Sequence, residues 1–128
     1  MEVTLHTQKK IIKEVDGKKE MQKVKGEITV DLDMSLNAQA RWEANFPALA
    51  EKEDLIQYCH RLSKVQNRSS MAVILSDMKP VFCMFDIGLT FKEFNKLFDF
   101  SDINYTKELA KELKEIIDLF FESASEKN

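Results

Sequence analysis

The sequence predicts an α+β fold, with a small N-terminal antiparallel β segment followed by a bundle of about five α-helices. Three observations lead there. The first 34 residues contain stretches that alternate apolar and polar side chains, the period of a half-buried strand. From Ser35 onward apolar residues recur at helical spacing instead. Three Gly and two Pro in 128 residues are too few turn formers for an all-β sandwich. This length supports one domain with one core. The chain divides into a β-hairpin region at 1–34 and a helical domain at 35–128, expected to form one folded unit. With 44% hydrophobic and 32% charged residues, the balance is that of a globular protein.

The strands come first. In "EVTLH", Val3 and Leu5 share one face and Thr4 and His6 the other. In "EITVDLDM", Ile28, Val30 and Leu32 face one way, and Thr29, Asp31 and Asp33 the other. Asp16-Gly17 between them is a turn signal flanked by short apolar runs. The predicted unit is a small antiparallel sheet or a hairpin with flanking strands. Its many lysines read as a solvated face, or as a charged arm that reaches a partner.

The helices follow. Ser35 can cap "LNAQARWEANF", and Pro47 ends or breaks that helix. "EKEDLIQYCHRLSKV" places Leu55, Cys59 and Leu62 on one side, with acids in the first turn and Arg61 and Lys64 near the end, as the helix dipole favours. "QNRSS" is a loop. "SSMAVILSDMKPVFCMFDI" is the most apolar stretch, polar only at Ser76, Asp77 and Lys79, and Pro80 should kink or split it. Thr90 and Glu93 form a capping box, and Leu89 and Phe94 a hydrophobic staple, so a short helix spans about 91–98. "DFSD" ends it and offers a cap to the last helix, about 103–122. That helix has Leu109, Leu113, Ile116, Ile117, Phe120 and Phe121 on one face and Lys–Glu pairs on the other. "SASEKN" reads as a frayed polar end.

Little points to catalysis. His6 and His60 are far apart in sequence, and Cys59 and His60, being adjacent on a helix, point in different directions. There is no Gly-rich phosphate loop. The residues predict neither an enzyme nor a metal or cofactor site. An enzyme would need a polar pocket converging on Asp77, His60 or Cys59. The pI of about 5.5 argues against nucleic-acid binding, although Lys9, Lys10, Lys13, Lys18 and Lys19 could form a basic arm. The start lacks the apolar run of a signal peptide, and no run of roughly 18 apolar residues could span a membrane. Cys59 and Cys83 are expected to be reduced, structural thiols of a cytosolic protein.

The phenylalanines carry the remaining signal. Eight of nine lie between residues 82 and 121. A small domain has limited interior for three apolar helix faces at 71–85, 91–98 and 109–121, and a large apolar excess marks a subunit or partner surface. Met71, Met78 and Met84 add adaptable side chains. Phe94 and Phe98 are assigned mainly to the core. Phe91, Phe120, Phe121 and Met78 are the expected surface for a partner or a second copy.

Two stretches resemble a known family. "DMSLNAQARWEANFPALAEKEDLIQYCHRL" is similar to the first helical half of the tail assembly chaperones of long-tailed phages and prophages of Gram-positive bacteria. "FCMFDIGLTFKEFNKLFDFSDINYTKELAKELKEIIDLFFESASEKN" is similar to their C-terminal half. The marks are Arg41-Trp42-Glu43 with Phe46-Pro47, and Thr90-Phe91-Lys92-Glu93-Phe94 with Phe98-Asp99 and Ser101-Asp102. The resemblance covers about residues 31–128 and implies a protein of the host bacterial cytoplasm. Its role would be to coat the tape-measure protein, keep it soluble and help recruit the tail-tube protein. It further implies a homo-oligomer and a short form of a frameshifted pair. The alternative is a helical adaptor of another pathway.

Overall fold

A computed structural model describes residues 1–33, 36–68 and 70–126, with side chains to Ser123. The fold is α+β: one two-stranded antiparallel hairpin, then helices packed on a single core. Strands β1 (Glu2–Val15) and β2 (Lys18–Asp31) pair along their whole length, from Glu2 opposite Asp31 to Val15 opposite Lys18. Asp16 and Gly17 make the connection, both with positive φ (52° and 74°). A two-residue hairpin turn demands that backbone, and Asp-Gly supplies it at low cost. The hairpin is longer and simpler than the small sheet the sequence suggests.

Six helices follow among the described residues: α1 (Leu36–Asn45), α2 (Pro47–Ala50), α3 (Leu55–Ser63), α4 (Met71–Cys83), α5 (Phe91–Asn95) and α6 (Ile103–Glu126). The extra one arises at Pro47, which stops α1 and opens the single turn of α2 from its first position, where proline's missing N–H is harmless. The expected cap of α1, Ser35, lies outside the described residues. Helix α3 begins later than its charge pattern implies. Asp54 caps it in a capping box with Gln57, while Glu51 and Glu53 stay outside. Pro80 does not split α4. The burial of Met78, Val81 and Phe82 around it outweighs one lost helical hydrogen bond. The capping box at Thr90 and Glu93 is formed, with Glu93 N–H donating to Thr90 Oγ1 at 3.1 Å and Thr90 N–H donating to Glu93 Oε1 at 2.9 Å. Helix α5 stops at Asn95 because the following residues turn aside to meet β1. Asp102 caps α6, accepting from the Tyr105 N–H at 3.2 Å. That helix continues through Glu126, past the expected end at 122. Lys127 and Asn128 lie outside the described residues.

The core gathers Leu5 and Leu32 of the hairpin segment with Trp42, Leu55, Ile74, Met78, Phe85, Phe94, Leu109, Leu113 and Ile117, all but Leu32 at most 1% exposed. The residues that carry the family resemblance have structural work here. Trp42 is fully buried against Tyr58 and Phe46 and donates its indole N–H to the Glu53 carbonyl at 3.0 Å. Arg41 donates to the Cys83 carbonyl and to Asp33 Oδ2, both at 2.8 Å, tying the hairpin's exit to the end of α4.

Candidate interaction surface

The sequence places its candidate surface among the phenylalanines, and the fold takes most of them inside. Rings run in contact from Tyr58 through Trp42, Phe46, Phe91, Phe82, Phe94 and Phe98 to Phe100, with centroids 4.7–6.4 Å apart. Two of the proposed surface residues are corrected. Met78 is 0% and Phe120 3% exposed, because α6 packs against both α3 and α4 and closes over that side. Neither offers a face to a partner in this fold. Phe91 is half-buried, edge-on to Phe46 and Phe82. Phe121 is half-buried and stacks on His60, centroids 4.7 Å apart. Phe94 and Phe98 are core, as expected.

The exposed apolar side chains stand elsewhere. On the hairpin these are Ile11, Ile12, Met21 and Val24; Ile12 is 69% and Met21 64% exposed. Ile12 sits directly across from Met21 on one face of the ribbon, while Ile11 and Val24 lie on the other. On the helical body, Leu36 (88%), Ile103 (70%) and Ile56 are exposed, and Met71 and Leu75, one turn apart on α4, form an exposed row.

The hairpin is fastened at its base. Gln8, only 2% exposed, donates its N–H to the Leu97 carbonyl at 3.1 Å and its side-chain amide to Asp102 Oδ2 at 2.8 Å. Lys23 reaches the same carboxylate oxygen at 2.8 Å, and Lys10 donates to Ser101 Oγ at 2.5 Å. The Lys23 ammonium, Gln8 and the Tyr105 N–H hold the Asp102 carboxyl well below the usual carboxylate range. On the other side His6 pairs with Glu112 of α6, and this contact raises the imidazole pKa, with help from Glu27. Tyr105 donates its hydroxyl to the His6 carbonyl at 2.6 Å. A groove of about 520 Å³ runs between the hairpin and the start of α6, but its central charges, Lys23 and Asp102, satisfy each other.

Beyond these fastenings no hydrogen bond or ion pair joins the hairpin to the body among the described residues. Lys10 and Lys23 are the outermost hairpin side chains tied to it among the described residues. From Ile11 to Val15 alone the ribbon projects roughly 17 Å. That outer part, residues 11–22, holds Lys13, Lys18 and Lys19 against Glu14, Asp16 and Glu20, a net charge of zero; the excess of lysine sits at the fastenings, in Lys9, Lys10, Lys23 and Lys25.

The residues weighed for chemistry do not assemble into a reactive site. Both cysteines are free and buried. Burial pushes the Cys83 thiol up to about 12 and Cys59 higher still, the opposite of an activated nucleophile. His60 is exposed beside Phe121. Asp77 is fully buried and bound by Arg68, Nη2 to Oδ2 at 2.5 Å; burial raises its pKa to about 6 although the arginine opposes this. Arg68 also donates to the Leu62 carbonyl. Among the described residues no group of three or more His, Cys, Asp or Glu could hold a metal ion. No helix is long and apolar enough to cross a membrane. No protein-family model, curated protein or solved structure matches the chain.

Proposed function

We propose that this chain is a tail assembly chaperone of a long-tailed phage or prophage of Gram-positive bacteria, acting in the host cytoplasm. It binds the tape-measure protein, keeps it soluble and helps recruit tail-tube subunits. The tail-assembly part of this reading rests on the resemblance of residues 31–128. One observation on the fold supports the binding part: exposed apolar side chains are spread over the hairpin, the Met71–Leu75 row and further helical positions such as Leu36 and Ile103, which leaves room for more than one contact. A chaperone that coats a long client with many copies needs one surface for the client and another for its neighbour. A helical, apolar client suits the α4 row, because apolar side chains one turn apart match the ridge of a partner helix.

The test is co-expression with a tape-measure protein of a long-tailed phage of Gram-positive bacteria. The expected result is that the client becomes soluble and co-purifies, and that Met71→Asp with Leu75→Asp abolishes this without unfolding the chaperone. A client equally insoluble with and without this chain overturns the reading. A protein of another pathway captured in its place would favour the helical adaptor.

A further inference from the structure

We propose that the loop following α3, residues 64–68, is a latch that opens when Asp77 takes up a proton. Arg68 is its bolt. The Arg68 side chain is only 10% exposed, donates to Asp77 Oδ2 at 2.5 Å and also donates to the Leu62 carbonyl. The bolt is held incompletely. Arg68 Nε and Asp77 Oδ1 are both buried without a hydrogen-bond partner. Each orphan atom has given up water and gained no bond, so the pair is weaker than its depth suggests. The surroundings do not favour a guanidinium either. Arg68 lines a cavity of about 380 Å³ together with Lys107, Lys111 and Lys114 of α6. Glu108 and Asp118 pair with Lys111 and Lys114, at 3.3 and 2.7 Å. Among the described residues the one ion pair of Arg68 is with Asp77. With Asp77 neutral, the guanidinium faces three lysines without its counter-ion.

The direction follows from linkage. Burial favours the neutral carboxyl, Arg68 and then Lys114 favour the charged one, and Asp118 opposes them. Cys59 of α3, the other titratable neighbour, is a neutral thiol. Once Arg68 withdraws, burial acts without its main opponent. The open form therefore binds the proton more tightly, and falling pH favours opening. The carboxyl's pKa, raised to about 6, puts the change between roughly pH 5 and pH 7. The flanking helices do not depend on the bolt. Helix α3 ends on its own backbone, with the Lys64 and Val65 N–H groups donating to the Arg61 and Leu62 carbonyls. Helix α4 starts from Ser70, whose hydroxyl accepts from the Val73 N–H. Gln66 and Asn67 are exposed. The loop can thus swing outward with both helices intact. Met71 and Leu75 stand just beyond it, but the latch rests on Arg68 and Asp77 and holds whatever binds that row.

Nuclear magnetic resonance of the full chain tests it through the Arg68 guanidinium protons. Their exchange with water, corrected for its intrinsic pH dependence, should quicken by on the order of tenfold between about pH 7.5 and about pH 5, the effect of one pK unit of coupling. Helical circular dichroism should stay constant over the same range. Asp77→Asn cannot ionise and should show fast exchange at both ends. At about pH 8, trypsin should also cut this variant after Arg68 on the order of tenfold faster than wild type, with cleavage after the exposed Lys13 as the unchanged control. Wild-type exchange that does not change with pH overturns the proposal, and this series stands by itself if the variant does not fold. An Asp77→Asn chain that keeps the pH step overturns it, as does one cut no faster after Arg68. Loss of helix together with the step overturns it too, because that is unfolding rather than a latch.

Discussion

The hairpin arm and the phenylalanine-rich body both place apolar side chains among charges, and they use them in opposite ways. In the body the rings from Tyr58 to Phe100 touch in series and fill the interior. In the arm Ile12 and Met21 face each other over lysines with nothing above them. Aromatic density thus marks the core of this protein. Part of the exposed apolar surface lies on the hairpin, a segment rich in lysine.

The comparison breaks most directly at Phe94. It is fully buried between Phe82 and Phe98, so Phe94→Ala should cost about 3–5 kcal/mol in a denaturant titration. Ile12→Ala, on the arm, should change the same titration by less than about 0.5 kcal/mol. Equal effects at the two positions would mean that the arm is packed, and the contrast would fail.

A smaller effect separates the two regions by pH. Asp77 lies inside the body with its pKa raised from 3.8 to about 6, chiefly by burial. An acid raised in the folded state contributes its full stability below its unfolded value and loses it as pH climbs through the folded one. Wild-type stability should therefore carry a falling component between about pH 4 and pH 7, and Asp77→Asn should remove roughly 1–3 kcal/mol of that fall. A variant whose stability falls as the wild type's does would show that Asp77 is not the group responsible. The smallest effect on the body is local. Thr90→Ala removes the acceptor that caps α5 and should cost about 1 kcal/mol, read as a lower unfolding midpoint.

What could be read from the sequence was local in origin. Thr90 with Glu93, Asp102 before α6 and Asp16-Gly17 in the turn each act within a few residues, so each announces itself. Alternation at Val3–Leu5 and Ile28–Val30 marks the half of the hairpin that lies on the body. From Lys9 to Val24 the alternation fades. Those strands are held by pairing with each other, and no buried face imposes a pattern. The burial of Met78 and Phe120 depends on which helices meet, information that no single helix carries. Arg68 was legible only as part of a loop. Its partnership with Asp77 exists because that loop places it over α4. The exposure of the arm's apolar side chains could have been suspected from Ile11-Ile12 and Met21 set among lysines on either side of a tight turn.

Asp102 gives the molecule a mechanical property. The same carboxylate receives Lys23 and Gln8 from the hairpin through one oxygen and the Tyr105 N–H of α6 through the other. It is therefore a rivet shared by a lever and a beam. Force that swings the arm is delivered in part to the first turn of α6, the longest helix, which runs on against α3 and α4. A load applied at the tip of the ribbon thus meets the body where Lys10 and Lys23, opposite each other in the ladder, reach Ser101 and Asp102 on either side of the entry to that helix.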